Sequence, residues 1–410
     1  MSPSSRAPRT TPDAWAPLRT YLDRDEHWIV GLMTGTSADA IDAALVRFEG
    51  RGLETTYELR AYRETPLDPV LRAEILTVAG SESVALERVM ELVAALGRRY
   101  VECVIELLAG AGVSAIDIDA IGSHGQTLRH VPRGEGRTAL TLQIGSAAIL
   151  AERTGISVVS DFRSRDTAAG GEGAPLVPLA DWWLFRSETE TRVMLNLGGM
   201  ANVTHLPRGG NAESVVAFDT GPGNAVLDAL AGLSSDGAHA HDAGGTAAAR
   251  GTPSEALLAE LLADPFFAQE PPRSTGRERF GERYATTLRE VGHAMGLSDD
   301  DVMATAVELT SASIAMAIEK FFAPRNPIEA VFASGGGVHN ATLMRSLERR
   351  FSPARVRSLA TLGVAPEAKE ALAFAFLAHL TLCGATGNLP GATGARHPVV
   401  LGHVTPGAAT

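Results

Sequence analysis

Cysteine is almost missing: Cys103 and Cys383 are the only two in 410 residues. Two thiols build neither a disulfide framework nor a cysteine-based zinc site, so a reducing compartment is the simplest setting and a cytoplasmic protein is expected. Positive charge is also short. Lys and Arg total 36 against 48 Asp and Glu, a net charge of −12. An acidic chain repels phosphate backbones and anionic lipid surfaces, so neither a nucleic acid nor a membrane is expected as a partner. Long apolar runs are lacking too. The most apolar stretch, Ala371 to Ala385, is interrupted by His379 and falls short of the roughly 20 residues that span a bilayer, so it reads as a buried helix. Residues 1–26 are rich in Ser, Pro and Arg but have no apolar h-region, which disfavours a secretory signal and leaves a disordered extension as the expectation. The chain has no Walker A GKS or GKT and no GxGxxG fingerprint; His124 and His130 are six apart with no Glu between them, unlike HExxH. No short-period repeat marks a solenoid.

What is present is ordinary for a folded protein: 45% apolar and 20% charged residues, on a chain long enough for two domains of roughly 150 to 200 residues each. From His27 the pattern sharpens. Trp28–Met33 and Ala40–Phe48 are apolar runs around the turn Thr34–Asp39, a hairpin signal. Leu86–Leu108 has apolar residues at helical spacing, and the alternating run Ile116–Ile121 reads as a strand that delivers His124 to a loop, GSHGQTLRH. The second half repeats this organisation. Val193–Leu197, the turn GGMAN and Val203–Leu206 form a hairpin; Val215–Phe218 is a short strand before TGPGN and a helix over Ala225–Leu233. Ser298 caps a long helix to about Phe322. Glu329–Ala333 enters SGGGVHN ahead of a helix over Ala341–Phe351. Gly387–Gly394 and His403–Thr410 read as loop and tail. A duplicated α/β unit with a ligand cleft between two lobes is the fold expected.

Three glycine turns carry the binding chemistry. In TGTSADAID, the hydroxyls of Thr34, Thr36 and Ser37 surround Gly35 beside Asp39 and Asp42, and the backbone N–H groups of Gly35, Thr36, Ser37, Ala38, Asp39, Ala40, Ile41 and Asp42 offer a phosphate cradle. Gly198, Gly199 and Asn202 form a similar turn, and Gly335 and Gly336 stand between strand and helix. One Gly/Thr turn alone is more often structural; three in one chain raise nucleotide binding above that alternative. Asp219 ends a buried-looking strand, where a carboxylate is costly unless paired or used, so it is the candidate catalytic base; capping the next helix is the competing role. Glu370 precedes an apolar helix and by itself also fits a helix N-terminus. His124 binds a sugar hydroxyl or is simply a hydrogen-bonded loop histidine. Asp161, Arg163, Arg165, Asp166 and Glu172 around GGEGAP suit polar substrate recognition, or a solvated turn. RSTGRERF, Arg273–Phe280, receives no role.

Taken in order, GLMTGTSADAIDAAL, GSHGQT, TLQIG, DFRSRDTAAGGEGAPLVP, LNLGGMANV, FDTGPGN, STGRERF, SGGGVHN, EALAFAFLAH and GNLPGATGA resemble the anhydro-N-acetylmuramic acid kinase family over residues 28–402. The resemblance implies two actin-like, ribonuclease H-like lobes with an interlobe ATP and sugar cleft. Lobe I is expected at 27–160 plus about 375–402, lobe II at 161–374, and a tail at 403–410. It implies ATP and Mg2+, with no magnesium ligand identified. The reaction implied opens the 1,6-anhydro bridge of anhydro-N-acetylmuramic acid and phosphorylates O6, in bacterial cell-wall recycling. Gly35–Asp42 matches the ATP segment, Asp219 the catalytic Asp and Glu370 a second acid near the attacked water; His124, Gln126, Arg165 and Asp166 are the candidate sugar contacts. A kinase for another anhydro sugar such as levoglucosan, and a non-catalytic actin-like switch, are the alternatives. A homodimer is left open. The chain departs from the family in its longer leader, in Glu172 where Gln is usual, and in Ala40 where the turn has Gly. If that glycine takes φ > 0, Ala40 adds strain of about 1 kcal/mol and weakens phosphate affinity.

Overall fold

The computed structural model describes residues 13–134, 136–323 and 327–407. Among these, a first compact unit takes the residues up to Gly173, Ala368–Asn388 and those from Arg396 on, and a second takes Ala174–Glu367 and Leu389–Ala395. The sequence places the boundaries instead after residue 160 and near 375. Residues 161–173 stay with the first unit because the Asp166 carboxylate accepts from Gly173 N–H and Asn388 Nδ2. Residues 368–374 do so because they open one continuous helix, Lys369–Leu382, that packs on the first sheet.

In the first unit β1 (Glu26–Thr34), β2 (Ala40–Glu49) and β3 (Thr56–Pro66) form an antiparallel meander. On the other side of β1, β4 (Ala120–Val131) pairs in parallel; β5 (Leu140–Ile144) folds back on the far half of β4, and β6 (Val158–Ser160) runs parallel to its near half. The second unit repeats the plan. There β7 (Arg192–Leu197), β8 (Met200–Leu206) and β9 (Val216–Pro222) form the meander, and β10 (Ala330–Ser334) and β11 (Arg355–Ser358) extend it in parallel from β7. Finally β12 (His403–Thr405) returns to the first sheet, antiparallel to β6. The orders β6-β4-β1-β2-β3 and β11-β10-β7-β8-β9 are the same path. That is the ribonuclease H-like arrangement twice over, so the chain consists of two actin-like α/β lobes.

Each sheet buries its faces under helices. Val30 and Leu32 of β1 meet Leu92, Leu96, Tyr100 and Val104 of the helix Leu86–Ala111. Strand alternation turns Gly31 to the opposite face, where Lys369–Leu382 lies. In the second unit Val193, Leu195 and Val203 pack with Val302, Met303, Val307 and Ile314 of the helix Asp299–Phe321. This helix starts where expected because Ser298 Oγ accepts from Asp301 N–H while the Asp301 carboxylate accepts from Ser298 N–H, a complete capping box. Among the described residues it alone is long and apolar enough to cross a membrane by composition, yet it fills the core of its unit.

Three local expectations change. The strand meant to end before His124 runs on to Val131, because β5 pairs with Gln126–Val131 and His124 therefore lies within β4. Residues 1–12 of the leader lie outside the described residues, but 13–26 carry a short helix, Ala16–Arg19, and a buried Tyr21 whose hydroxyl is 2.6 Å from His379 Nδ1. The tail supplies β12 before the last residues, 408–410, which lie outside the described ones.

Candidate active site

The β1–β2 hairpin closes through a tight turn in which Ala38 N–H donates to Gly35 carbonyl at 3.0 Å. Thr34 is buried, its hydroxyl 2.8 Å from Tyr100 Oη, whereas Thr36 is exposed and Ser37 partly so. Ser37 Oγ and Ala40 N–H both donate to Asp39 Oδ1, at 2.9 and 3.1 Å. The left-handed residue is Ala38, with φ 49, and not Ala40. Ala40 opens β2 in register with Pro66, and extended backbone accepts any side chain, so the strain expected of it does not exist. Ala40→Gly is therefore expected to leave ATP affinity unchanged and to lower stability by about 0.5–1 kcal/mol, the entropic cost of glycine in a strand. ATP titration and denaturant unfolding check both halves.

Further along the hairpin, Asp42 receives the Tyr62 hydroxyl at 2.5 Å. Burial pushes its carboxyl up to about 6 against that hydrogen bond, and the carboxylates of Glu64, Glu370 and Asp39 add repulsion. Such a group gains from a cation, and hard carboxylate oxygens suit Mg2+. No cluster of three or more His, Cys, Asp or Glu side chains forms a ready cage among the described residues. The donor set therefore fits an ion that arrives on nucleotide phosphates and takes one or two carboxylates from the protein.

Glu370 stands in the first turn of Lys369–Leu382, close enough to Arg163 to favour the charged guanidinium, which burial otherwise pushes down to about 10. Arg163 Nε donates to His124 Nε2 at 3.1 Å, and His124 Nδ1 lies 2.8 Å from the Gly125 carbonyl. An arginine only donates, so Nε2 is the bare nitrogen and Nδ1 carries the proton. Burial and the Arg163 charge push this imidazole down to about 3, so it is neutral and both nitrogens are engaged. Gln126 pairs with Thr34 across β1 and β4. It is 1% exposed; its Nε2 donates to Thr127 carbonyl, while its buried Oε1 has no partner among the described residues. The structure thus gathers the hairpin, Asp42, Gln126, His124, Arg163 and Glu370 in one unit. Arg165 is exposed. Asp166 is fully buried, and its oxygens hold Gly173 N–H at 2.8 Å and Asn388 Nδ2 at 2.6 Å, tying down the GGEGAP loop.

The second unit holds the other candidates. Asn202 on β8 faces Asp219 on β9 in register. The Gly198 and Gly199 carbonyls accept from Asn224, Gly223 and Ala225 N–H, which seats the start of the helix Asn224–Ser234 on the β7–β8 turn and leaves Asp219 free of capping duty. Gly335, with φ 83, leads into the 3₁₀ turn Gly336–His339 against Leu197. Asp219 Oδ2 accepts Thr275 N–H at 2.8 Å. Burial pushes this carboxyl up to about 7, opposed by that N–H and by the Arg273 cation. A carboxylate with such a value is a proton acceptor matched to neutral pH. Arg273 and Thr275 had no local signal to betray them, since they reach Asp219 across 54 and 56 residues.

A family model described as anhydro-N-acetylmuramic acid kinase matches residues 27–407. A relative of that name from Caldanaerobacter subterraneus subsp. tengcongensis is 43% identical over 392 residues, covering 95% of this chain and 99% of its own. Another from Salinibacter ruber is 44% identical, covering 93% and 97%. One from Xanthomonas campestris pv. campestris strain 8004 is 43% identical, covering 92% and 97%. With the family model and these relatives spanning nearly its whole length, the chain belongs to the anhydro-N-acetylmuramic acid kinase family.

Proposed function

We propose that this chain is a cytoplasmic kinase that joins water, ATP and 1,6-anhydro-N-acetylmuramic acid into N-acetylmuramic acid 6-phosphate and ADP. The observation that carries the mechanism is Asp219: a partly buried carboxyl pushed up to about 7, aimed by a backbone N–H, in the middle of β9 opposite Asn202. The anhydro sugar has no free 6-hydroxyl, so the base has no O6 proton to remove and acts on water instead. Asp219 takes the proton as the water oxygen bonds to the anomeric carbon. The bond from that carbon to O6 breaks, O6 attacks the γ-phosphorus of ATP, and ADP leaves. No separate acid is needed, because the phosphoryl group captures O6.

Backbone N–H groups of Gly35–Asp42 are assigned to the phosphates, with Gly198, Gly199, Asn202, Gly335 and Gly336 completing the nucleotide contacts. Mg2+ neutralises phosphate charge when bound, and Asp42 with Asp39 are the carboxylates assigned to it. Glu370, beside the Arg163 guanidinium, assists in orienting the water, while Gln126 offers to the sugar an acceptor that has no partner among the described residues. His124 and Asp166 act through what they hold, Arg163 and the GGEGAP loop. Arg165, exposed on the surface of the same unit, is a candidate sugar contact.

The test is turnover in ¹⁸O-labelled water with purified sugar and ATP. Label is expected on the anomeric carbon in early product and absent from the bridge between O6 and phosphorus. Label in that bridge overturns the mechanism. Equal or better turnover of levoglucosan in the same assay overturns the substrate.

A further inference from the structure

The segment RSTGRERF, which the mechanism leaves without a role, wraps around Asp219. Asp219 N–H donates to the Arg273 carbonyl at 3.1 Å, and Arg273 Nε donates back to the Asp219 carbonyl at 2.9 Å. Two residues on, Thr275 N–H holds the carboxylate itself. Arg273 Nη1 meanwhile donates to the carbonyls of Phe266, Phe267 and Gln269 at 3.1, 3.1 and 2.8 Å. Its guanidinium carbon lies 5.1, 4.9 and 5.5 Å from the rings of Phe218, Phe266 and Phe321, and the residue is only 8% exposed.

We infer that Arg273 is a positioning residue for the reaction: it clamps the backbone at Asp219 to the 266–275 loop, so that Thr275 N–H aims the carboxylate, and it supplies a buried positive charge that favours the proton-accepting form. The inference rests on Asp219 being the base.

The fork geometry explains why arginine stands here. One planar group serves four carbonyls and stacks among three rings, which a lysine ammonium cannot do at once. Keeping a cation in this apolar box is costly, and burial pushes Arg273 itself down to about 10, so it is still charged at neutral pH. Other charges around Asp219 do not duplicate its effect. Glu278 on the same segment opposes it. Asn202, opposite on β8, is uncharged. From the helix Asp299–Phe321, Lys320 is committed to the Ala268 carbonyl at 3.0 Å. On Asn224–Ser234, burial pushes the Asp228 carboxyl up, opposed by His241 and Arg277.

The test compares pH profiles of kcat/KM for the full-length wild type, Arg273→Met and Arg273→Lys, with Asp219→Asn as reference. Removing the cation is expected to move the acid limb of Arg273→Met up by about one pH unit, so that activity falls about tenfold more at pH 6 than at pH 9. Arg273→Lys keeps the charge and loses the fork; its limb is expected to stay near wild type while kcat falls. An unmoved limb in folded Arg273→Met overturns the inference. Should that variant fail to fold, a limb in Arg273→Lys displaced by a full unit overturns it instead. Near-normal turnover in Asp219→Asn marks failure of the underlying mechanism, which is a separate result.

Discussion

Asp219→Asn is expected to lower kcat by about 10²- to 10⁴-fold, the usual contribution of a general base, with ATP affinity largely retained. The substitution keeps shape: an amide oxygen accepts from Thr275 N–H as the carboxylate Oδ2 does, so the loop stays in place and only the proton acceptor is lost. Glu370→Gln is expected to cost less, because the role proposed for Glu370 beside Arg163 is to assist and not to take the proton. The pH dependence carries a definite sign. Burial raises the Asp219 carboxyl to about 7, and a general base works only when deprotonated, so with Asp219 as the base kcat/KM is expected to be full above that value and to fall as pH drops through it. The profile of kcat/KM against pH in wild type reads this directly. Near-normal turnover in Asp219→Asn sinks the role assigned to it.

How much of this was legible in the sequence depends on distance along the chain. Hairpins were legible, because β1–β2 and β7–β8 are neighbours whose apolar runs flank glycine turns, and the two cases together disclosed the duplication. Asp219 was legible as a charge where a strand should be apolar. Parallel pairing was not: β1 meets β4 some ninety residues on, and nothing in Ile116–Ile121 announces that β5 will extend that strand through His124. Partners fixed by tertiary contact were hidden for the same reason. His124 looked free in a glycine-flanked segment, yet Arg163 and the Gly125 carbonyl use both nitrogens. Tyr21 sat in a polar leader, yet it stacks on His27 at 3.8 Å between ring centroids and meets His379 from the far end of the chain. At Ala40 the family pattern pointed to the right turn but the wrong residue, since only backbone angles show that Ala38 carries the positive φ.

Gly31→Ala and Gly122→Ala are each expected to destabilise the first unit by about 3 kcal/mol or more, with much of the protein recovered insoluble. Gly31 of β1 and Gly122 near the start of β4 are register partners, and the backbone of Lys369–Leu382 crosses directly above them. A Cβ on Gly31 would stand 1.8 Å from the Ala371 carbonyl oxygen and 2.8 Å from Ala375 N; one on Gly122 would stand 2.3 Å from the Phe374 carbonyl oxygen. Neither glycine has a positive φ, so the penalty is steric alone. Backbone cannot rotate aside as a side chain does, and the helix cannot lift, since Ala371 through Leu380 are buried all round. The double variant is expected to cost clearly less than the sum, because a helix displaced by the first methyl already makes room for the second. Gly110, exposed near the end of Leu86–Ala111 with nothing within 4 Å, is the control; Gly110→Ala is expected to stabilise by up to about 1 kcal/mol. Urea midpoints measure all four proteins. The close approach also bears on the proposed chemistry, because the helix held this tightly carries Glu370 in its first turn. Folded Gly31→Ala or Gly122→Ala is therefore expected to lose turnover as well as stability, and an unchanged midpoint in either shows that the helix does not sit on the sheet at this distance.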